Sequence, residues 1–166
     1  MMALDIGTLS RNNRQIGIQL ELWANRELGK EQLTGCQSQV LLYILRHADE
    51  GASLTAIHHA YGYSKATLSG LIKQLREKGY VRVEHCQGDD RRKLLYGTEK
   101  GQQMRQKLFE SNQRAQDWLE MNFTSAELLA MERLQQKMLL KLNQLNACKQ
   151  KEASEHEKSD ASARAV

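Results

Sequence analysis

Apolar residues recur along most of the chain at the three- and four-residue spacing of α-helices. Between residues 64 and 78 they fall at i, i+3, i+4 and i+7, so one helix face is apolar and the opposite face is polar. The apolar face consists of Leu68, Leu71, Ile72 and Leu75. Comparable stripes predict further helices at about 5–28, 35–48, 54–61, 99–122 and 125–147. The pattern therefore predicts a mainly α chain.

Capping sequences mark where several of these helices begin and end. Thr34 is followed three residues later by Gln37, and Thr124 by Glu127, which is the spacing of a capping box. Gly29 follows the first helix, where a glycine in the left-handed conformation commonly ends a helix. These signals place helix boundaries without reference to any tertiary contact.

Two short helices followed by a hairpin form the centre of the chain. The helices at 54–61 and 64–78 are separated by a glycine-containing turn, which is typical of a helix-turn-helix. Residues 80–86 alternate as in a strand, 87–92 are polar turn residues, and 93–96 return as a second strand, so basic residues lie at the hairpin tip. An isolated hairpin is unstable, so it must pack against the helices.

The charge is concentrated in this central part. Residues 53–101 contain nine Lys or Arg and five Asp or Glu, an excess equal to the net charge of +4 of the whole chain. A localised basic segment is typical of proteins that bind polyanions such as nucleic acid. No apolar run reaches the ~18 residues that a bilayer span requires, so no membrane association is predicted.

The sequence has no pattern typical of an enzyme or a secreted protein. It contains no phosphate-binding glycine loop and no nucleophile–base arrangement, so we predict a non-enzyme without a cofactor. The N-terminus lacks a secretion signal. The cysteines Cys36, Cys86 and Cys148 are odd in number and widely spaced, which does not predict a disulfide framework. A cytoplasmic location is the expectation.

Three sequence strings carry a resemblance to a known family. They are LTGCQSQVL at 33–41, YSKATLSGLIKQLREKGYV at 63–81, and the pattern Asp89-x-Arg91, Leu95, Thr98-x-x-Gly101. Over about residues 5–147 the chain resembles the MarR family of winged helix-turn-helix transcriptional regulators. The resemblance implies a fold with a small β-hairpin wing and with dimerisation helices at both ends.

The chain departs from the family pattern at three positions. Gly70 stands where the family often has arginine, Lys73 where aspartate is common, and Gly97 where leucine usually precedes the threonine. Relative to the family pattern, the resemblance implies that the first change alters base contacts and that the second removes an ion pair from helix to wing and adds a phosphate contact. The DNA sequence bound cannot therefore be transferred from a relative.

The second helix of the motif is expected to enter the major groove of double-stranded DNA. The DNA-contacting candidates on this helix are Ser64, Lys65, Ala66, Thr67, Ser69, Gly70, Lys73 and Arg76. In the wing, Arg91 and Arg92 are candidates for a narrow minor groove, and Asp89 is the candidate that stabilises the wing. Arg82 and Lys93 on the wing strands are equally well explained as contacts to the DNA backbone and as solubilising charges.

The terminal helices are predicted to form a homodimer that binds a pseudo-palindromic operator. The last helix has apolar residues at alternating three- and four-residue spacing, as in a helix pair. The dimerisation candidates are Ile16, Leu20, Trp23, Leu128, Met131, Met138, Leu142 and Leu145. The predicted segments are 1–34 for the N-terminal dimerisation helix, 35–101 for the winged helix-turn-helix, 102–147 for the C-terminal dimerisation helices, and 148–166 for a disordered tail.

The resemblance also implies a ligand-responsive repressor with a small aromatic effector, for which Trp23, Trp118 and Met104 are candidate lining residues. Two other hypotheses remain open: a winged-helix module for protein–protein interaction, and a switch that responds to thiols or metal. His58 and His59 are adjacent on a helix and point about 100° apart, so no metal site is predicted. Cys36 is more simply a small buried thiol than a redox sensor.

Overall fold

The structure is a computed structural model that describes the backbone of residues 5–86 and 89–163 and the side chains of residues 5–85 and 93–147. Its elements are α1 Ile6–Leu28, α2 Gly35–Arg46, α3 Leu54–Tyr61, α4 Lys65–Glu77, β1 Val81–Cys86, β2 Asp89–Gly97, α5 Glu99–Gln103, α6 Arg105–Asn122 and α7 Ser125–Ala163. The mainly α fold with a two-stranded antiparallel hairpin confirms the predicted winged helix-turn-helix.

The start of α2 has the capping box that the sequence predicted. The Thr34 hydroxyl accepts a hydrogen bond from the backbone N–H of Gln37, and the Gln37 side chain accepts one from the backbone N–H of Thr34. The end of α1 differs from the prediction. Gly29 is right-handed and begins a 3-10 turn over Gly29–Glu31, and the left-handed residue is Gln32 at φ 55°. Because of this tighter 3-10 turn, the left-handed residue stands at position 32, three residues later than predicted.

The core lies among α2, α3, α4 and the hairpin. The apolar stripe of α4 is buried at Leu68, Ile72 and Leu75, as its periodicity predicted. The largest fully buried side chains are Leu41, Ile44, Leu45, Ile57, Leu68, Leu75, Leu95 and Val40. These residues come from four elements, α2, α3, α4 and β2, so the helix-turn-helix and the wing share one core.

The wing is anchored to the helices by backbone hydrogen bonds. Ala52 and Leu95 form an isolated antiparallel bridge, with N···O distances of 2.9 and 2.8 Å. This bridge joins the second strand to the segment before α3. It supplies the support that a two-stranded hairpin needs.

The predicted turn at 87–92 is too long. Strand β2 begins at Asp89, so only residues 87 and 88 lie between the strands, outside the described residues. His85 pairs with Lys93 and Cys86 with Asp89, and the register shifts between these pairs. Residues 90–92 therefore form a bulge in strand backbone next to the tip. The sequence alone could not predict it, because the local alternation does not define strand register.

Two helix boundaries near the C-terminus also differ from the prediction. The helix predicted at 99–122 is interrupted at Met104, whose side chain is buried in the core and whose N–H bonds to Gly101 O. The last helix continues to Ala163 instead of ending near 147. Residues 148–163 contain no glycine or proline and are rich in Ala, Lys and Glu, which favour helical backbone.

The chain divides into two compact units, Met1–Arg114 and Ala115–Val166. The first contains the helix-turn-helix and the wing. The second contains the end of α6 and all of α7, which begins at a capping box between Thr124 and Glu127. The predicted division into four segments stays a prediction, although residues 148–163 of the tail that was predicted to be disordered have helical backbone. Among the described residues, no helix is both long enough and apolar enough to cross a membrane.

Candidate nucleic-acid interface

Helix α4 begins with a hydroxyl cap at the end expected to enter a groove. Ser64 Oγ accepts a hydrogen bond from Thr67 N at 3.0 Å and lies 2.8 Å from Thr67 Oγ1. Both hydroxyls are exposed, and their mutual hydrogen bond holds them in a defined position. The cap also orients the first backbone N–H groups outward, where they favour negative charge.

All the predicted contact residues of α4 are exposed to solvent. They are Ser64, Lys65, Ala66, Thr67, Ser69, Gly70, Lys73 and Arg76. The opposite face of the same helix is buried in the core, so α4 is held rigidly from one side. The helix therefore presents one continuous polar and basic face.

Lys73 and Gly70 occupy the two positions where α4 departs from the family pattern. Lys73 Nζ lies 3.9 Å from Glu77 Oε1 one turn along, and both side chains are largely exposed. Such a surface ion pair is weak, so it does not prevent Lys73 from contacting a phosphate. A Cβ built on Gly70 would meet no atom within 4 Å. Packing within the protein thus does not require glycine at position 70.

We expect Gly70→Ala to stabilise the protein by about 0.5–1 kcal/mol. The substitution removes the entropic cost of a glycine inside a helix, and no neighbouring atom obstructs the new methyl group. The measurement is the free energy of unfolding from urea denaturation of the two proteins. A clear loss of stability would mean that α4 does not have this conformation at residue 70.

The wing contains three arginines. Arg82 has partners in the structure, and the side chains of Arg91 and Arg92 lie outside the described residues. Arg82 forms an ion pair with Glu84, and its guanidinium carbon lies 5.0 Å from the centre of the Tyr96 ring. Arg91 and Arg92 lie in the bulge of β2. Their contacts, and those of Asp89, stay predictions, and Lys93 is exposed.

Gly97 has a structural explanation that the sequence did not offer. A Cβ on this residue would overlap Leu45 Cδ2, which occupies the adjacent space in the core. Leu45 is fully buried. The departure from leucine at this position is therefore compensated by a side chain from α2.

Sequence reasoning missed a polar cluster beneath α4. The side-chain amide of Gln37 donates to Gln74 Oε1 at 2.6 Å and accepts from Lys78 Nζ at 2.8 Å. Gln37 was recognised only as part of the cap of α2. Its partners are 37 and 41 positions away, and no local pattern identifies them.

A row of aromatic rings on α2 and α3 was also missed. Tyr43 stacks on His47 with a centroid distance of 4.2 Å, and Tyr61 lies 5.9 Å from Tyr43 and 6.0 Å from Tyr63. The Tyr63 hydroxyl donates to Gln39 Oε1 at 3.0 Å. Burial is the main cause that raises the pKa of Tyr63 above its ordinary value. The i,i+4 spacing of Tyr43 and His47 was a sequence signal for one of these contacts.

Two histidines have structural partners. Nδ1 of His47 lies 2.8 Å from Tyr43 O, and Nδ1 of His58 lies 2.6 Å from Tyr63 O. Within 5–85 and 93–147, no three His, Cys, Asp or Glu side chains converge as metal ligands. These contacts support a structural role for both side chains.

The environment of Cys36 disfavours the thiolate form of its side chain. It is half-buried, and its Sγ donates to Glu21 Oε1 at 3.1 Å. Burial is the main cause that raises the pKa of the Cys36 thiol, and the Glu21 carboxylate raises it further. A raised thiol pKa lowers the thiolate fraction, and the thiolate is the reactive form.

We expect Cys36 to be alkylated more slowly at pH 7.5 than a free cysteine. The variant Cys86→Ser/Cys148→Ser leaves Cys36 as the single thiol, and its reaction with iodoacetamide is compared with that of glutathione. The rate is expected to rise with pH beyond the range where glutathione levels off. A reaction as fast as that of glutathione at pH 7.5 would contradict the raised pKa and would favour the thiol-responsive hypothesis.

The predicted dimerisation residues carry exposed apolar surface. Ile16, Leu20, Met131, Leu142 and Leu145 are exposed, and Trp23, Leu128 and Met138 are half-buried. The predicted effector-lining residues are less uniform. Met104 is buried in the core of the first unit, and Trp118 packs edge-on against Phe123 in the second. The effector site stays a prediction.

The comparisons with known proteins agree with the geometry. The MarR family model matches residues 31–92. No curated protein matches the sequence significantly. The fold resembles that of MepR from S. aureus in a DNA complex, with 24% identity, a TM-score of 0.75, and coverage of 81% of this chain and 98% of that chain.

Two further solved structures have the same fold. A putative MarR-family regulator from Listeria monocytogenes complexed with 26mer DNA has 23% identity and a TM-score of 0.71, over 83% of this chain and 87% of that chain. A MarR protein from Peptoclostridium difficile has 20% identity and a TM-score of 0.74, over 86% and 92%. The family-model match over residues 31–92 and the shared fold confirm the resemblance of this chain to the MarR family.

Proposed function

We propose that this protein is a sequence-specific DNA-binding regulator of transcription. The observation that carries the proposal is the continuous exposed face of α4, from its capped N-terminus to Arg76, on a helix whose other face is buried. This arrangement fits a helix that enters the major groove with its N-terminal residues against base edges. DNA in the MepR and Listeria structures supports the same role.

The proposed active form is a homodimer acting in the cytoplasm on a pseudo-palindromic operator. Support comes from the apolar side chains that α1 and α7 expose, including Ile16 and Leu20 on α1 and Leu142 and Leu145 on α7. Exposed apolar residues at helical spacing favour burial against another helix. Two copies of α4 would then contact successive major grooves, ~34 Å apart.

The test of this function is selection of bound sequences from a random DNA pool. A two-fold symmetric consensus is expected, because each protomer would bind one half-site. Sedimentation of the protein with the selected DNA then gives the number of protomers bound. Enrichment of no sequence would exclude specific DNA recognition and favour a protein-interaction module.

The same proposal includes repression of transcription and release of the DNA when a small aromatic effector binds. Both rest on the family resemblance. Titration of aromatic carboxylates and phenols into a preformed complex with the selected DNA tests release. A fall in DNA affinity that saturates with ligand concentration is expected. Affinity that stays constant at millimolar ligand would exclude this class of effector.

Lys73 and Arg76 are expected to contribute electrostatically. We expect Lys73→Ala and Arg76→Ala each to reduce the magnitude of the slope of log affinity against log salt by about one. Each substitution should weaken binding to specific and to non-specific DNA to a similar extent, since phosphate contacts carry no sequence information. Binding isotherms at four salt concentrations measure the slope. An unchanged slope would remove that side chain from the interface.

A further inference from the structure

Gln37 is a buried polar side chain that joins its own helix, α2, to α4. It is 2% exposed. Its Oε1 accepts from Thr34 N at 3.2 Å within α2 and from Lys78 Nζ at 2.8 Å at the end of α4, while its Nε2 donates to Gln74 Oε1 at 2.6 Å. A cap on α2 alone needs only the first of these bonds. The other two join the first turn of α2 to the C-terminal half of α4.

The same turn of α2 is in close contact with α1. Gly35 N donates to Asn25 Oδ1 at 2.6 Å. A Cβ on Gly35 would lie 3.1 Å from Ala24 Cβ and 3.2 Å from the backbone oxygen of Glu21, so the two helices approach closely at this point. The first turn of α2 thus touches α1 on one side and, through Gln37, α4 on the other.

The Gln37 bonds act on the half of α4 that is distant from its N-terminal contact face. Gln74 and Lys78 follow Gly70 by one and two turns, and Lys78 Nζ also donates to Gln32 O. Because α4 has 13 residues and a length of about 20 Å, a tilt of about 10° at one end moves the other end by about 3 Å. A displacement of that size exceeds the tolerance of a hydrogen bond to a base.

We propose that Gln37 is a positioning residue that sets the orientation of α4 relative to α1. The inference rests on the proposed function, because its purpose is to align the contact face of α4 with DNA. Gln37 itself touches no DNA. Its amide transmits the position of α1, the helix proposed to join the two protomers, to the helix that reads the sequence.

Two substitutions separate the hydrogen bonds from the volume of the side chain. Gln37→Met keeps a similar length and removes all three bonds. Gln37→Glu keeps both acceptor contacts, and the exposed Gln74 can rotate its amide to donate to the new carboxylate. Ile44→Val is the matched control, because Ile44 is fully buried on the same helix and the removal of one methylene group affects packing only.

The first measurement is hydrogen exchange of the free protein. Gln37→Met is expected to accelerate exchange of the backbone amides over residues 71–78 by about tenfold relative to Ile44→Val at equal global stability, whereas Gln37→Glu retains the wild-type rates. Equal exchange in Gln37→Met and Ile44→Val would overturn the proposal. This measurement does not depend on DNA binding, so it is informative even if the proposed function fails.

The second measurement is binding to the selected DNA and to unrelated DNA of the same length. Gln37→Met is expected to lower specific affinity by about tenfold, with unchanged non-specific affinity and salt slope. We also expect Gln37→Met to discriminate less sharply than the wild type between the selected operator and operators whose half-sites are moved by one base pair. A parallel loss on both DNAs, or a loss in Gln37→Glu equal to that in Gln37→Met, would overturn the positioning role. Failure of the wild-type protein to select any DNA would instead refute the proposed function.

Discussion

Gly101→Ala is expected to lower the free energy of unfolding by about 2–3 kcal/mol, because an added Cβ would overlap a backbone oxygen. Gly101 is buried at the start of α5, and the atom in the way is the carbonyl oxygen of Tyr80. That oxygen already accepts a hydrogen bond from Thr98 N at 3.0 Å. Relief of the overlap would therefore require movement of the backbone at Tyr80, just before β1, or at Gly101 in α5. Urea denaturation followed by circular dichroism gives the change.

The control for this experiment is Gly70→Ala, the same substitution at a helical glycine with open space around it. The two variants should change stability in opposite directions, although helix propensity alone predicts a gain for both. A Gly101→Ala protein as stable as the wild type would show that the backbone relaxes at little cost. The close contact between α5 and Tyr80 would then not be a determinant of the fold.

Arg91→Ala is expected to weaken binding to the selected DNA by about tenfold or more at moderate salt. Arg91 lies in the bulge of β2, next to the tip of the wing. Bulges redirect side chains, and an arginine at such a position can enter a narrow minor groove, whose negative potential favours a cation. Equilibrium binding at 150 mM salt measures the change. Unchanged affinity would remove Arg91 from the mechanism.

Arg82→Ala is the matched control on the same wing. Arg82 carries the same charge, but its guanidinium is paired with Glu84 and lies against the Tyr96 ring. Its loss should have a smaller effect on DNA affinity than the loss of Arg91. Equal effects would indicate that the wing acts through its total charge and not through one inserted side chain.

Local sequence signals predicted most of the helices and the order of the elements. The capping boxes of Thr34 with Gln37 and of Thr124 with Glu127 were found where expected. These signals succeed because a cap and an apolar stripe involve residues within one or two turns of each other. The face of α4 could be predicted for the same reason, since burial of one side leaves the other side exposed.

The failures occurred where a distant residue determines the local conformation. The turn at Gln32 is left-handed, and its carbonyl oxygen accepts from Lys78 on another element. The helix predicted at 99–122 is interrupted at Met104, whose side chain is buried in the core among residues of other elements. The wing turn was predicted too long because strand register depends on cross-strand pairing.

By itself the sequence determined a mainly α chain with a helix-turn-helix, a hairpin wing and a basic excess confined to them. Periodicity, capping residues and charge are properties of neighbouring positions, so they can be read without a structure. Only the tertiary structure decided that Leu45 fills the space beside Gly97 and that Gln37 bonds to Gln74 across 37 positions. Such contacts depend on how whole helices pack, and the free energy that selects one packing comes from burial shared among all of them.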